Sequence, residues 1–217
     1  MAVHEGPRTH AAALQVSAME HRDTSEVVDV IARGMRDNPT HVAALGDDPG
    51  RRERRVHRIF SNVVPVLGNP FLVARDGDGT ILAVLGMASP GRCRSSARQK
   101  ARLTAGLLPL GPRALSRSLQ WVGTWEQLDP AERHWHLGPV AVDAHLQGKG
   151  IGSQLMTVFC AQMDAAGADA YLETDKPENV RFYQRFGFEV SEQQAVIGVP
   201  NWFMLRRAGA TSDRGVE

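Results

Sequence analysis

Three alternating glycines give the clearest chemical signal in the sequence. Gly148, Gly150 and Gly152 lie at the start of an apolar-periodic run that extends from Ile151 to Met163. Glycine lets the backbone adopt positive φ angles and come close to a ligand. The first turn of a helix adds unpaired N–H groups and the positive end of the helix dipole. The pattern therefore predicts a loop that binds the phosphate of a phosphorylated cofactor.

Two common nucleotide-binding motifs do not fit this loop. A Walker loop would need a glycine five residues before Gly148, where Asp143 stands, and Ser or Thr after Lys149, where Gly150 stands. A dinucleotide fingerprint would need its third glycine at the position of Ser153. Taken alone, the loop is also consistent with a glycine turn that binds no ligand.

Two histidines and a glutamate are candidates for acid–base chemistry. His134 and His136 are two residues apart, so both face one side of a predicted strand. They are either proton acceptors or sheet-face side chains that meet solvent or a helix. Glu173 ends a short apolar strand, where a carboxylate is unfavourable unless it is paired. It is expected to bind an amine, to act as a base, or to pair with Arg181 or Arg185.

The composition indicates a cytoplasmic globular protein. Of the 217 residues 42% are hydrophobic, and 25 basic and 24 acidic residues give a formal net charge of +1. This balance gives no reason to expect nucleic acid as the main partner. No apolar run approaches the roughly 20 residues of a membrane span, and residues 1–12 lack the apolar core of a secretory signal. Cys93 and Cys160 are expected to be free thiols in a reducing cytosol, and no metal site is predicted.

The predicted elements alternate between strands and helices, which indicates an α/β fold with a mixed sheet. The predicted strands cover residues 14–18, 71–74, 80–87, 134–142, 170–174, 188–199 and 202–205. The predicted helices cover residues 23–36, 48–68, 113–125, 150–166 and 177–186. We expect a single domain, 1–217, with flexible tails at 1–11 and 208–217 and a helical insertion at 89–133 before the fourth strand.

Two segments together match the signature of one enzyme family. The first is the loop Gln147-Gly-Lys-Gly-Ile-Gly152, and the second contains Asn179, Phe182-Tyr183 and Gly187-Phe188. They resemble the Gln/Arg-x-x-Gly-x-Gly/Ala loop and the Asn…Phe-Tyr…Gly-Phe segment of the GNAT superfamily of N-acetyltransferases. The close match covers about residues 134–190, and the two motifs at this spacing are far more specific than either alone.

The resemblance implies a GNAT-like fold, in which helices cover both faces of a central mixed sheet that is splayed between strands 4 and 5. It also implies acetyl-CoA as cosubstrate and no metal. In such proteins the amides of the loop hold the CoA pyrophosphate, the preceding strand pairs with the pantetheine arm, and Asn179 and Tyr183 lie near the sulfur. The residues expected to bind acetyl-CoA are Val140, Ala141, Val142, Gln147, Gly148, Lys149, Gly150, Ile151, Gly152, Ser153, Asn179 and Tyr183.

The resemblance implies direct attack of an amine on the thioester in a ternary complex. An amine with a pKa of about 10.4 is neutral in only about one molecule in 2,500 at pH 7, so a base is useful. His136 and Glu173 are the two candidate bases, and the choice between them is open. Tyr183 is the expected general acid for the CoA thiolate, with a core tyrosine behind the cofactor as the alternative. A backbone N–H near Val140 is the expected oxyanion donor, and Pro139 makes a bulge plausible there.

The expected function is therefore acetylation of a primary amine on a small molecule by a cytoplasmic monomer or homodimer. Neither nucleic acid nor a membrane is an expected partner, and the insertion is the expected source of acceptor selectivity. Two other functions stay open. One is a regulatory module that binds acetyl-CoA without catalysis. The other is a protein lysine or N-terminal acetyltransferase, which should have an open, acidic acceptor groove, whereas a small-molecule enzyme should have an apolar pocket closed by residues 103–127.

Overall fold

The computed structural model describes residues 14–93 and 95–210. The predicted tail 1–11 and most of the predicted tail 208–217 lie outside these residues. Within the described ranges, no helix combines the length and the apolar character that crossing a bilayer requires.

Seven strands form one mixed sheet, which confirms the predicted fold class. They are β1 (Gln15–Ala18), β2 (Phe71–Arg75), β3 (Ile81–Ala88), β4 (Trp135–Val142), β5 (Ala170–Thr174), β6 (Glu189–Val196) and β7 (Val199–Arg206). Their order across the sheet is β1-β2-β3-β4-β5-β7-β6. The β4–β5 pair is parallel, and all the other neighbouring pairs are antiparallel.

In the described part of the chain, seven α-helices surround the sheet. They are α1 (Thr24–Met35), α2 (Pro39–Leu45), α3 (Pro49–Leu67), α4 (Ala97–Leu107), α5 (Pro112–Leu128), α6 (Ile151–Ala165) and α7 (Pro177–Gln184). Helix α3 begins as predicted, because the Asp48 side chain accepts a hydrogen bond from the Arg51 N–H and Pro49 occupies the first turn. The sequence did not predict α2, and it predicted helices in the 89–133 insertion without giving bounds for α4. Helix α2 has only seven residues, and α4 contains no buried residue, so neither shows an extended apolar periodicity.

Helices cover both faces of the sheet, because alternate strand residues point to opposite sides. On one face Leu85 of β3 packs in a cluster with Leu155 and Phe159 of α6. On the other face the adjacent Val84 packs in a second cluster with Ile31 of α1. All five side chains are fully buried. The sheet therefore has two apolar layers, and the glycine loop lies at the edge of the layer that contains α6.

Strand β4 has two irregularities that open the sheet near its centre. Leu85 pairs with Val140 but Met87 pairs with Leu137, so β4 has one extra residue in this interval, which confirms the predicted bulge. The parallel register with β5 ends at the pair His136–Tyr171. Both strands continue beyond that pair, so they separate there, and the predicted splay between strands 4 and 5 is confirmed.

Helix α1 approaches the end of β4 very closely at Gly34. A Cβ atom at this position would overlap the carbonyl oxygen of Val142 and press on the Ala141 side chain. Gly34 thus allows α1 to form a wall beside the glycine loop, since only a residue without a side chain permits this approach.

We expect Gly34→Ala to destabilise the fold by about 1–3 kcal/mol, because α1 would have to move away from β4. Gly123→Ala is the matched control. Gly123 lies inside α5, and no described atom outside the local helix backbone stands within 4 Å of the position that an alanine Cβ would take. Alanine should therefore stabilise the protein by up to about 1 kcal/mol. Urea unfolding of the three proteins measures both changes. Equal effects at the two glycines would contradict the tight contact.

Candidate active site

The glycine loop adopts the conformation that its sequence predicts. Gly148 and Gly150 have φ angles of +79° and +81°, in the left-handed region that favours glycine. Gly150 is the N-cap residue of α6, and no described side chain caps this helix. Gln147 donates from Nε2 to the carbonyl oxygens of Gly34 (3.0 Å) and Val142 (3.2 Å). The glutamine therefore ties the loop to α1 and β4, while the first turn of α6 faces a cavity.

This glycine-loop cavity has a volume of about 430 Å³. It is lined by every residue predicted to bind the cofactor except Lys149, and Phe182 and Arg185 of the α7 region also line it. The predicted residues in the lining are Val140, Ala141, Val142, Gln147, Gly148, Gly150, Ile151, Gly152, Ser153, Asn179 and Tyr183. The structure thus brings β4, the loop, α6 and α7 around one space, with the positive end of the α6 dipole at its margin.

A second cavity, of about 250 Å³, is lined by residues of both splayed strands, β4 and β5. We call it the tryptophan cavity because Trp121 and Trp125 of α5 line it, together with His136 and Glu173. The two cavities share lining residues, so they lie next to one another. The shared residues are Met35, Asn38, Val140, Asn179 and Tyr183.

Tyr183 lies at the junction of the two cavities. Its side chain is buried, with its ring edge-on to Phe182 (5.2 Å) and Phe188 (5.9 Å) between centroids. Burial, and secondarily the negative charge of Asp175, raise the pKa of Tyr183. The hydroxyl group is therefore protonated at neutral pH and available as a proton donor.

His136 and Glu173 form a hydrogen-bonded pair at the wall of the tryptophan cavity. His136 Nε2 lies 2.9 Å from Glu173 Oε2, and the Glu173 side chain is only 2% exposed. Glu173 Oε1 is buried and has no hydrogen-bond partner among the described residues. The glutamate thus pairs with His136, while the predicted alternative partner Arg185 lies over the Phe182 ring. One oxygen of a buried carboxylate is left unsatisfied beside a cavity, which is costly unless a ligand contacts it.

The charge of Glu173 and a hydrogen bond with Asp129 raise the pKa of His136 well above its usual value. Burial alone would lower this pKa, but the two carboxylates outweigh it. His136 Nδ1 lies 3.2 Å from Asp129 Oδ1. Both ring nitrogens of His136 thus face carboxylates, whereas Glu173 has an oxygen with no partner among the described residues, so Glu173 is the stronger candidate base of the two.

His41 also lines the tryptophan cavity, and the sequence did not indicate it as a site residue. It is 3% exposed and makes an edge contact of 4.9 Å with Trp121. Burial lowers the pKa of His41 to about 4, so the ring is neutral at pH 7. Its Nδ1 has no hydrogen-bond partner in the described part of the chain. His41 comes from α2, a helix too short for its periodicity to predict.

A second group of side chains lies behind His136, and we call it the Cys–His cluster. Its members are Cys93, Asp129, His134 and His136, each of which offers one atom within 4.8 Å of the others. Burial alone would raise the pKa of Cys93, but hydrogen bonds with the two histidines lower it to about 7. Burial alone would lower the pKa of His134, but the Asp129 carboxylate raises it to about 10. Only the i, i+2 spacing of the histidines was visible in the sequence.

The comparison with known families agrees with this geometry. The family model described as acetyltransferase (GNAT) family matches residues 69–188, which is more than half of the chain. The chain therefore belongs to the acetyltransferase (GNAT) family, as the resemblance implied. By class it is an acyl-CoA-dependent N-acetyltransferase that uses acetyl-CoA.

Solved structures of this family share the fold at low sequence identity. The structure of histone acetyltransferase HPA2 and related acetyltransferase from Corynebacterium glutamicum is 20% identical, with a TM-score of 0.68 over 92% of this chain and 98% of that chain. Polyamine N-acetyltransferase from Drosophila melanogaster, which forms N-acetylagmatine, is 14% identical, with a TM-score of 0.61 over 90% and 100%. A GNAT family acetyltransferase from Brucella melitensis in complex with acetyl-CoA is 19% identical, with a TM-score of 0.51 over 91% and 90%.

Proposed function

We propose that the protein transfers an acetyl group from acetyl-CoA to the primary amine of a small cationic molecule, by direct attack in a ternary complex. The observation that carries this proposal is that the two cavities meet at shared lining residues, Val140, Asn179 and Tyr183. A thioester that enters from the glycine-loop cavity would meet an amine from the tryptophan cavity at this junction. Such an arrangement supplies proximity and orientation, which are large contributions to catalysis of a two-substrate reaction.

In this proposal the glycine-loop cavity binds the cofactor. The backbone N–H groups of the first turn of α6 hold the pyrophosphate, and the edge of β4 from Val140 to Val142 pairs with the pantetheine arm. This edge is available because pairing with β5 ends at His136. An N–H near Val140 or Ala141 on the same edge is the proposed oxyanion donor, since it follows the bulge and lies at the junction.

The tryptophan cavity is suited to a cationic amine with an apolar body. Glu173 supplies a buried carboxylate with a free oxygen, and Asp175 adds a second carboxylate to the lining. Trp121 and Trp125 supply aromatic surface, which favours both apolar groups and cations. The similarity to a fly enzyme that acetylates agmatine supports the same substrate class.

The proposed reaction uses two side chains for proton transfer. Glu173 binds the ammonium group and takes its proton, and His136 holds the carboxylate in position through its Nε2 hydrogen bond. The neutral amine attacks the thioester carbonyl, the C–N bond forms, and the C–S bond breaks as the tetrahedral intermediate collapses. Tyr183 gives its proton to the CoA thiolate and takes back the second proton of the amine nitrogen, so the products are the neutral amide and the CoA thiol, and Glu173 releases its proton to solvent.

The aromatic wall also favours a small-molecule acceptor over a protein. Trp121 and Trp125 belong to α5 and close the tryptophan cavity from the side of the insertion, as a small-molecule enzyme requires. An amine library that includes agmatine, other polyamines, aromatic amines and lysine peptides, monitored by release of the CoA thiol, tests this choice. Acetylation of the peptides alone would contradict it, and binding of acetyl-CoA without acetylation of any amine would indicate a regulatory module.

We expect Glu173→Gln to raise the KM for the amine acceptor by about 10- to 100-fold, because a hydrogen bond to a charged group contributes about 1.5–3 kcal/mol. The KM for acetyl-CoA should change by less than about threefold, since Glu173 does not line the glycine-loop cavity. Steady-state kinetics with each substrate varied separately measures both constants. The control is Glu189→Gln, on an exposed position of β6. An unchanged amine KM in the Glu173 variant would remove this residue from acceptor binding.

A further inference from the structure

We propose that Cys93, Asp129, His134 and His136 form a binding site for one zinc ion. This site goes beyond the proposed acetyl transfer, and it departs from the sequence-based expectation of no metal. The Cys–His cluster combines a thiol, two imidazoles and a carboxylate, which are the ligand types of tetrahedral zinc sites in proteins. No two of these residues are adjacent in sequence, so their convergence is a property of the fold.

The distances between the ligand atoms agree with a tetrahedron around one ion. Cys93 Sγ lies 3.6 Å from His134 Nε2, and Asp129 Oδ1 lies 3.3 Å from His134 Nε2 and 3.2 Å from His136 Nδ1. Zinc bonds of about 2.0–2.1 Å to nitrogen or oxygen and about 2.3 Å to sulfur place tetrahedral ligands roughly 3.3 Å apart, or roughly 3.6 Å where sulfur is involved. These three distances are therefore already at ligand spacing, and all four ligand atoms lie within 4.8 Å of one another.

The second nitrogen of each histidine is occupied in the way that metal-binding histidines require. His134 Nδ1 lies 2.8 Å from the Glu132 carbonyl oxygen, and His136 Nε2 lies 2.9 Å from Glu173 Oε2. Each ring donates its N–H outward to an oxygen and presents its other nitrogen to the cluster. Histidines that bind metals almost always have such a partner, because it sets the tautomer and the ring orientation.

The same geometry argues against a cysteine nucleophile with a histidine base. In a relay of that kind the carboxylate contacts the ring nitrogen that faces away from the nucleophile. Here Asp129 and Cys93 both contact Nε2 of His134, while its Nδ1 faces a backbone carbonyl. The atoms converge on one point, so the cluster has the form of an ion site.

The cluster has room for an ion to enter. His134 is 4% exposed, the Asp129 side chain is 9% exposed, and Cys93 is half-buried. A cavity of about 320 Å³, lined by Cys93, Asp129 and His134, opens beside them. Four protein ligands with no position left for substrate indicate a structural ion, since catalytic zinc sites keep one position open.

The ion would connect both ends of the insertion to the sheet. Cys93 lies after β3, Asp129 is the residue that ends α5, and the histidines lie at the start of β4. Zinc would therefore close the loop that contains α4 and α5, whose Trp121 and Trp125 line the tryptophan cavity. It would also fix His136, which holds Glu173, so its consequence for the proposed reaction is positioning of the acceptor site.

The test is direct measurement of zinc on the purified protein. We expect elemental analysis to find about one zinc ion per chain, and protein freed of metal by a chelator to bind one equivalent of added Zn²⁺ in competition with a chromophoric chelator. Added Co²⁺ should give the thiolate charge-transfer band and the visible bands of a tetrahedral cobalt–thiolate site. Zinc should also raise the Tm of the metal-free protein by at least about 5 °C.

We expect Cys93→Ser and His134→Ala each to lower the zinc affinity by at least about 100-fold. Loss of an outer hydrogen-bond partner alone costs about 10- to 100-fold, and loss of a ligand should cost more. Cys160→Ser is the matched cysteine control. Burial raises the pKa of Cys160 to about 11, and its Sγ lies 4.0 Å from the Phe186 carbonyl oxygen, away from the cluster. His57→Ala, on exposed α3, is the matched histidine control.

Circular dichroism of each variant separates loss of a ligand from loss of the fold, and Asp129→Asn is a further ligand variant if either of the first two does not fold. Protein purified without zinc that also fails to bind added Zn²⁺ would overturn the proposal. So would wild-type affinity in both the Cys93 and the His134 variants. Rapid alkylation of Cys93 at the same rate with and without zinc would identify a reactive thiol instead. These readouts do not depend on acetyl transfer, so they remain decisive if the proposed substrate class is wrong.

Discussion

Replacing Tyr183 with phenylalanine is expected to lower kcat for acetyl transfer by about 10²- to 10³-fold at neutral pH. A positioned general acid contributes about 10²- to 10⁴-fold, and Tyr183 lies where the two cavities meet. Because burial raises its pKa, the hydroxyl carries its proton throughout the neutral range and can give it to the departing thiolate. The phenylalanine ring retains the contacts with Phe182 and Phe188, so the KM for acetyl-CoA should change by less than about threefold.

The second tyrosine of the chain provides the control for this result. Tyr171 is also buried, and burial likewise raises its pKa, but it lies on β5 and donates to the Leu128 carbonyl oxygen at 3.3 Å. Tyr171→Phe removes this hydrogen bond, worth about 1 kcal/mol of stability, and an interaction of the hydroxyl with Glu173, but no proton donor of the reaction. Its kcat should stay within about threefold of the wild type. If kcat of the Tyr183 variant equals that of the wild type at every pH, Tyr183 is a packing residue behind the cofactor.

The role of Tyr183 as the acid also predicts how kcat of the wild-type protein depends on pH. An acid acts only while it is protonated, so its contribution is present below its pKa and is lost as the pH rises through that value. The raised pKa of Tyr183 therefore predicts no alkaline loss of kcat below the usual tyrosine pKa of about 10. Measuring kcat at saturating substrate from neutral pH upward checks this, and an alkaline fall well below that pKa would assign the acid to another group.

Gly150→Trp is expected to raise the KM for acetyl-CoA by at least about 100-fold or to remove measurable activity. Two effects combine at this position. Its φ of +81° strains any side chain. A side chain there would also project into open space at the margin of the glycine-loop cavity, because no described atom other than those of its chain neighbours lies within 4 Å of an added Cβ. An indole would then occupy the space proposed for the pyrophosphate. Titration calorimetry with CoA measures the loss of binding independently of turnover.

Gly79→Trp is the control that separates blocking of the cofactor site from strain in the backbone. Gly79 has a φ of +86° and equally open surroundings, but it lies in the hairpin turn between β2 and β3, away from both cavities. This variant should have a lowered Tm, as the Gly150 variant should, together with a wild-type KM for acetyl-CoA. Thiol release with a wild-type KM in the Gly150 variant would show that the cofactor binds elsewhere.

The amino-acid sequence predicted much of the fold and one side of the site. Gly148 and Gly150 have positive φ angles, and the preference of such positions for glycine is a local requirement that is independent of the rest of the chain. The alternation of apolar residues with period 2 in the strands and near 3.6 in the long helices likewise depends only on neighbouring positions. The resemblance to a family extended this to the splay of strands 4 and 5 and to the order of the elements, because the two motifs occur at the family's spacing.

The acceptor side depended on contacts that no local pattern records. His41 enters the tryptophan cavity from a seven-residue helix, and Trp121 enters it from the insertion. Glu173 has His136 as its partner, although two arginines are nearer to it in sequence. Which polar side chain satisfies a buried carboxylate is decided by the packing of whole elements, since every candidate has the same chemistry until the sheet and its helices place it.

The Cys–His cluster most clearly separates what the sequence determined from what the tertiary structure decided. The sequence by itself determined a histidine pair on one face of a strand, because side chains two residues apart in a strand point the same way. Only the tertiary structure brought Cys93 and Asp129 to that pair, across separations of 41 residues between Cys93 and His134 and 7 residues between Asp129 and His136. The ligand atoms come together because the two ends of the insertion meet at β4. The order of residues in the chain does not reveal this proximity.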